Sequence, residues 1–166
     1  MPVITDANVL IDYVESDITM LAIYSSEIEQ VLIPESIFDE VEQLSLPECE
    51  RYGLQVVEED MDVMMLASTE VHGPLSYQDK VCLYLTKSMD DATCITNEKA
   101  LKRFCEEQDI SVKRGLKLMI ELVEHDKIDA EVVTGVALKI QENNPLFIND
   151  AVIEDFKAKV AEVNTN

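Results

Sequence analysis

Val3-Ile4-Thr5-Asp6-Ala7-Asn8-Val9-Leu10-Ile11 is the stretch on which the reading of this chain turns. Val3 to Thr5 is short, apolar and β-branched, as a strand buried on both faces of a parallel sheet should be, and it breaks at an aspartate. Open α/β sheets bind ligands outside the carboxyl ends of their strands, so this reading places Asp6 at a strand tip. Asp and Asn also lead the preferences for helix N-caps, and Asp6 and Asn8 read equally well as caps of a helix beginning there.

Working outward, strand-like runs at 3–5, 31–33, 54–57, 92–96 and 110–112 alternate with helical patterns at 18–29, 35–45, 60–71, 76–88 and 97–108. Such alternation implies βαβ units and a parallel sheet with helices on both faces. Only helical patterns follow the last strand, at 115–125, 129–142 and 149–161, the last two parted by Asn143-Asn144-Pro145. There is no internal repeat and no low-complexity linker.

Three further acids share the setting of Asp6. Glu40 follows the run Val31-Leu32-Ile33 and the helix signals Pro34 and Ser36; at about 100° per residue it flanks the stripe of Ile37, Val41 and Leu44. Asp79 lies three residues past Ser76, where a capping box would use it, yet its helix face runs on into Cys82 and Leu83. Glu98 follows the β-branched Ala92-Thr93-Cys94-Ile95-Thr96-Asn97, in a first helical turn whose dipole favours an acid. Each acid has a structural excuse. All four nonetheless fall at strand-to-helix transitions or on the helix just after one, where a parallel α/β sheet assembles its sites. A buried carboxylate needs a cation or donors to offset its lost hydration, so the pattern points to a metal site.

Composition bounds the rest. A chain of 166 residues, 47% hydrophobic, is one ordinary domain with a sizeable core. It has no run of about 18 apolar residues and no signal-peptide pattern, which predicts a cytoplasmic protein without a membrane partner. Cys49, Cys82, Cys94 and Cys105 form no CxxC pair and read as buried thiols in a reducing compartment. His72, before a Gly-Pro turn, and His125, near a helix C-terminus, read as structural. The formal charge of −21 argues against indiscriminate nucleic-acid binding. Its distribution is uneven: residues 1–79 carry 18 acids and one base, whereas eight bases fall between Lys80 and Lys117. Those eight make either a local phosphate track or ordinary solvated helix faces.

Taken in order, Asp6-Ala7-Asn8-Val9-Leu10-Ile11, Phe38-Asp39-Glu40-Val41, Leu75-Ser76-x-x-Asp79 and Ile95-Thr96-Asn97-Glu98-Lys99-Ala100-Leu101 resemble the motifs of PIN-domain nucleases, a family that includes the VapC-type ribonuclease toxins. The resemblance runs from Val3 to about Lys127. It implies a three-layer α/β/α domain over residues 1–127 with a central, mainly parallel sheet, and leaves 128–166 as a C-terminal helical extension packed on the same domain. It implies divalent-metal-dependent RNA cleavage with Asp6, Glu40, Asp79 and Glu98 as catalytic and metal-binding acids, Mg²⁺ or Mn²⁺ as cofactor, and Asn8, Thr96, Asn97 and Ser76 as supporting polar groups. Toxin-type members commonly dimerise and are held by a small antitoxin protein, so RNA, an antitoxin and a homodimer are the implied partners. Glu98 departs from the aspartate usual at its position, and the acidic first half departs from what suits an RNA enzyme.

The chemistry agrees with that residue set. Magnesium takes oxygen ligands, usually one or two carboxylates with several waters, and an all-carboxylate pocket suits it or manganese better than zinc. A metal-assisted hydrolysis needs no nucleophilic side chain, and the chain has no GxSxG elbow, Walker loop or GxGxxG. Two other classes compete: a catalytically inactive module of the same fold acting through protein or RNA contacts, and a receiver-like domain. The receiver would need a phosphoacceptor aspartate at a middle strand tip, and none stands there.

Overall fold

The computed structural model describes residues 1–165. Its sheet has five strands: β1 (Val3–Thr5), β2 (Val31–Pro34), β3 (Gln55–Val57), β4 (Thr93–Ile95) and β5 (Ser111–Lys113). All neighbours are parallel, in the order β3-β2-β1-β4-β5. The three central strands are wholly buried and the edge strands β3 and β5 are partly exposed. That is why the former read as unbroken apolar runs and the latter as mixed ones. The chain winds outward from β1 through β2 to β3, then crosses back to β4 on the other side of β1. The strand order therefore reverses between β1 and β4, opening a crevice at their carboxyl ends.

Helices cover both faces, giving three α/β/α layers. On one face α6 (Tyr77–Ser88) packs on β1 and β4, with α5 (Met61–Thr69), α7 (Lys99–Glu107) and the single turn α3 (Glu35–Phe38) against it. The other face holds α1 (Ala7–Ser16), α2 (Thr19–Glu27) and α8 (Lys117–Glu124); α9 (Ala130–Asn143) lies on α1 and α8, and α10 (Asp150–Thr165) on α8 and α9. The four cysteines are free and buried. Among the described residues no helix is long and apolar enough to cross a membrane.

Two segments differ from the sequence expectation. Residues 35–45 do not form one helix: α3 ends at Phe38, and Glu40, Val41 and Leu44 follow in turns whose amides reach back three residues. Ile37, Val41 and Leu44 are still buried together, so the apolar spacing marks the core contacts correctly but not the backbone. The helix cannot run on because Ser45 is extended and caps a new one, α4 (Leu46–Tyr52), in a capping box with Glu48 and with Pro47 in its first turn. The second segment is α1, absent from the alternating pattern of helices, which begins directly after Asp6 and buries Val9, Leu10 and Tyr13.

Candidate active site

Asp6 is held from three sides. Its amide donates to the Ile95 carbonyl at 3.1 Å, continuing the β1–β4 ladder one residue past the strand. Its side chain N-caps α1, Oδ1 accepting from the Val9 amide at 2.9 Å, while Oδ2 accepts from the Thr96 hydroxyl. Strand tip and helix cap are thus one position. Asp6 is only 2% exposed, and burial pushes its carboxyl up to about 7, against the pull of its donors at Thr96 and Val9 and with the help of the charges on Asp79 and Glu98.

Thr96 ties this acid to the next. Fully buried one residue past β4, it donates to Asp6 through Oγ1, and the same oxygen accepts from the Glu98 amide at 3.0 Å. Glu98 then stands at the start of α7, its Oε1 accepting from Asn8 Nδ2 at 2.9 Å. Partial burial, then the charge on Asp79, raise the Glu98 carboxyl, and the Asn8 amide offsets part of this. Asp79 sits in the first turn of α6 in a reciprocal capping box: its amide donates to Ser76 Oγ at 3.1 Å and its carboxylate accepts from the Ser76 amide at 3.3 Å. The box fixes the acid's position without covering it.

The four acids line one pocket of about 260 Å³, with Asn8, Ser76 and Gln78 completing its polar wall. Glu40 differs from the other three. It is exposed, on the turn beyond α3 rather than on a helix, and lines the pocket from its solvent side. Asn97 is not in the pocket: its Oδ1 accepts from the Gly115 amide at 3.0 Å and so holds the turn between β5 and α8. Gln78 lines the site without a sequence signal beyond its place beside Asp79. His72 meets the Tyr84 hydroxyl and packs against Phe104, and His125 ends α8, so neither histidine faces the acids.

Six of the eight bases between Lys80 and Lys117 are engaged elsewhere. Lys80 donates to the Glu70 carbonyl, Lys87 to Gln108, and Lys102, Arg103, Lys113 and Lys117 pair with glutamates. Lys99 and Arg114 are exposed and have no partner among the described residues. The basic segment is therefore mostly a set of solvated helix faces.

The donor set suits a hard divalent cation. The polar groups facing the pocket, beside apolar Ala7 and Ile37, bind through oxygen or an amide, and the carboxyls of Asp6 and Glu98, raised first by burial and further by neighbouring acids, are ones whose charged form a cation would stabilise. The arrangement is open: among the described residues no three His, Cys, Asp or Glu side chains gather closely enough to hold a metal ion. Such openness fits an ion that keeps several waters and takes one or two carboxylates, and does not fit a closed structural site.

A family model described as PIN domain matches residues 2–162. This chain belongs to the PIN-domain family. The match takes in α9 and most of α10, well beyond the last resembling motif near Lys127, and membership brings with it the nuclease class and a nucleic-acid substrate. Among curated proteins no match is found. In this PIN domain the four acids line a pocket at the sheet's switch point, where Glu98 is steadied by Asn8.

Proposed function

We propose that this PIN domain is a divalent-metal-dependent endoribonuclease whose working acids are Asp6, Glu40, Asp79 and Glu98. The observation that carries the reading is the convergence of these four carboxylates, distant in sequence, on one small pocket at the β1/β4 crevice. Mg²⁺ or Mn²⁺, held by Asp6 with Asp79 or Glu98, would supply charge at the phosphoryl oxygens and a water acidic enough to attack at neutral pH. The protein's own part is positioning. Thr96 and the α1 amide aim Asp6, Asn8 aims Glu98, Ser76 fixes Asp79, and exposed Glu40 stands where it can accept a proton at the rim. A toxin held by a small antitoxin is the setting this reading favours. The excess of 17 negative charges in residues 1–79 suits a basic inhibitor, and four free thiols suit the cytoplasm. Self-association into a homodimer, and the treatment of 128–166 as an extension of the 1–127 domain, belong to the same proposal.

One observation favours a second reading, an inactive PIN-fold module acting through RNA or protein contacts: the open spacing of the acids, with glutamate at the last position. The two separate on a panel of single-stranded and hairpin RNAs incubated with Mn²⁺ or with EDTA. Cleavage confined to the Mn²⁺ lanes supports the nuclease, and intact RNA in every lane supports the inactive module.

A further inference from the structure

Asn97, the chain neighbour of Glu98 in the acid pocket, lines a second groove of about 310 Å³ between the β5–α8 turn, α8 and the start of α10. Its floor is Leu116, Ile120 and Phe156, and one wall is Phe147, a phenylalanine left 39% exposed on the connection between α9 and α10. Arg114 also lines the groove, exposed and without a partner among the described residues, next to Gly115 in a chain of net charge −21. Lys117 and Lys159 also line the groove, although each has a carboxylate partner.

Asn97 joins the two sites. Its Oδ1 holds the Gly115 amide, while its neighbours Thr96 and Glu98 hold and line the acid pocket. With consecutive Cα atoms about 3.8 Å apart, a strand lying over Glu98 reaches the groove within its next nucleotides. An aromatic face with an exposed arginine in the same groove is what single-stranded nucleic acid needs, bases stacking on the ring and phosphates meeting the charge.

We propose that this groove is a flanking-nucleotide subsite, in which a base of single-stranded RNA next to the scissile phosphate packs on Phe147 and its phosphate is met by Arg114. The inference rests on the nuclease reading for its link to cleavage, and on the groove alone for binding. It assigns part of RNA recognition to the β5–α8 turn and the α9–α10 connection, outside the four acids.

The test uses the full chain in an Asp6→Asn background and a fluorescein-labelled ten-nucleotide single-stranded RNA, read by anisotropy. Phe147→Ala should weaken binding roughly tenfold. Arg114→Ala should weaken it and lower the slope of log affinity against log salt by about 0.7. Both positions are exposed, so melting points should not move. With Asp6 restored, Phe147→Ala should slow cleavage of long RNAs while leaving unaffected a short substrate that keeps the scissile phosphodiester but lacks the flanking nucleotide that would reach the groove. Unchanged affinity and salt slope in both variants overturns the subsite even if the enzyme cleaves RNA. Conversely, absence of cleavage by the parent removes the nuclease reading, while lost binding in the variants still supports the groove as an RNA site. No measurable RNA binding by the Asp6→Asn protein overturns it, leaving a protein segment as the occupant to seek.

Discussion

Asp6 is the residue whose position and ionisation most constrain the account, since one side chain ends a strand, starts a helix and faces the pocket. Thr96 is its closest support. Thr96→Val keeps the shape but removes the donor to Asp6 and the acceptor for the Glu98 amide, and should cost about 1–3 kcal/mol in urea unfolding. With that donor gone the Asp6 carboxyl should titrate higher still, which a carboxyl-carbon NMR titration would show; an unmoved titration would mean that the Thr96 bond does not hold the charge. The four acids were legible one by one in the sequence because Asp6, Glu40 and Glu98 follow strand-like runs and Asp79 precedes the apolar Val81-Cys82-Leu83. Their support was less so: the bond between Thr96 and Asp6 spans 90 positions, and only the pairing of β1 with β4 brings the two together.

At the scale of elements, the site depends on α1 and the β5–α8 turn fitting closely. A Cβ on Gly115 would stand 3.2 Å from both Val9 methyls and 3.4 Å from Asn97 Nδ2, while its carbonyl accepts from the Tyr13 hydroxyl at 2.6 Å. Gly115→Ala should therefore destabilise the fold by about 1–3 kcal/mol and lower cleavage more than Tyr13→Phe does. The reason is that Val9 supplies the amide next to Asp6 and Asn97 adjoins Glu98. Equal activity of the alanine variant and the parent would show that this contact does not set the acids' positions. All five strands and most helices could be read from the sequence because the central strands are buried on both faces and the helices amphipathic. The span 35–45 could not: Ile37, Val41 and Leu44 keep helical spacing while their backbone turns, and the informative signal was the capping sequence Ser45-Leu46-Pro47-Glu48, which starts a different helix. Helix α1 was masked because its cap is also a site residue.

Over the whole molecule, charge and burial act in the same direction. Asp6 is pushed up to about 7 and Asp12, buried under Asn144, up to about 6, both chiefly by burial. Unfolded aspartates titrate near 3.9, so from about pH 4 to pH 7 the folded state binds more protons than the unfolded one. Stability should fall as pH rises through that window and level off above it. For Asp6 alone the upper bound is on the order of 4 kcal/mol at about 1.4 kcal/mol per pH unit. The net charge of −21 adds self-repulsion, so raising ionic strength to about 0.15 M should raise the melting temperature at pH 8. A melting temperature that rises steadily from pH 5 to pH 8 at fixed salt would contradict both arguments.

Asp6→Asn joins the three scales in one comparison, because it removes the buried charge while keeping a side-chain oxygen for the Val9 amide and an isosteric group against Thr96. Cleavage of single-stranded RNA by parent and variant, with Mn²⁺ and with EDTA, is measured beside their melting curves at pH 8. The account predicts that the variant cleaves no more than the EDTA blank and melts at the same temperature or higher, so that activity and stability part. Equal Mn²⁺-dependent cleavage by both proteins would contradict it, placing the chemistry somewhere other than the β1/β4 crevice.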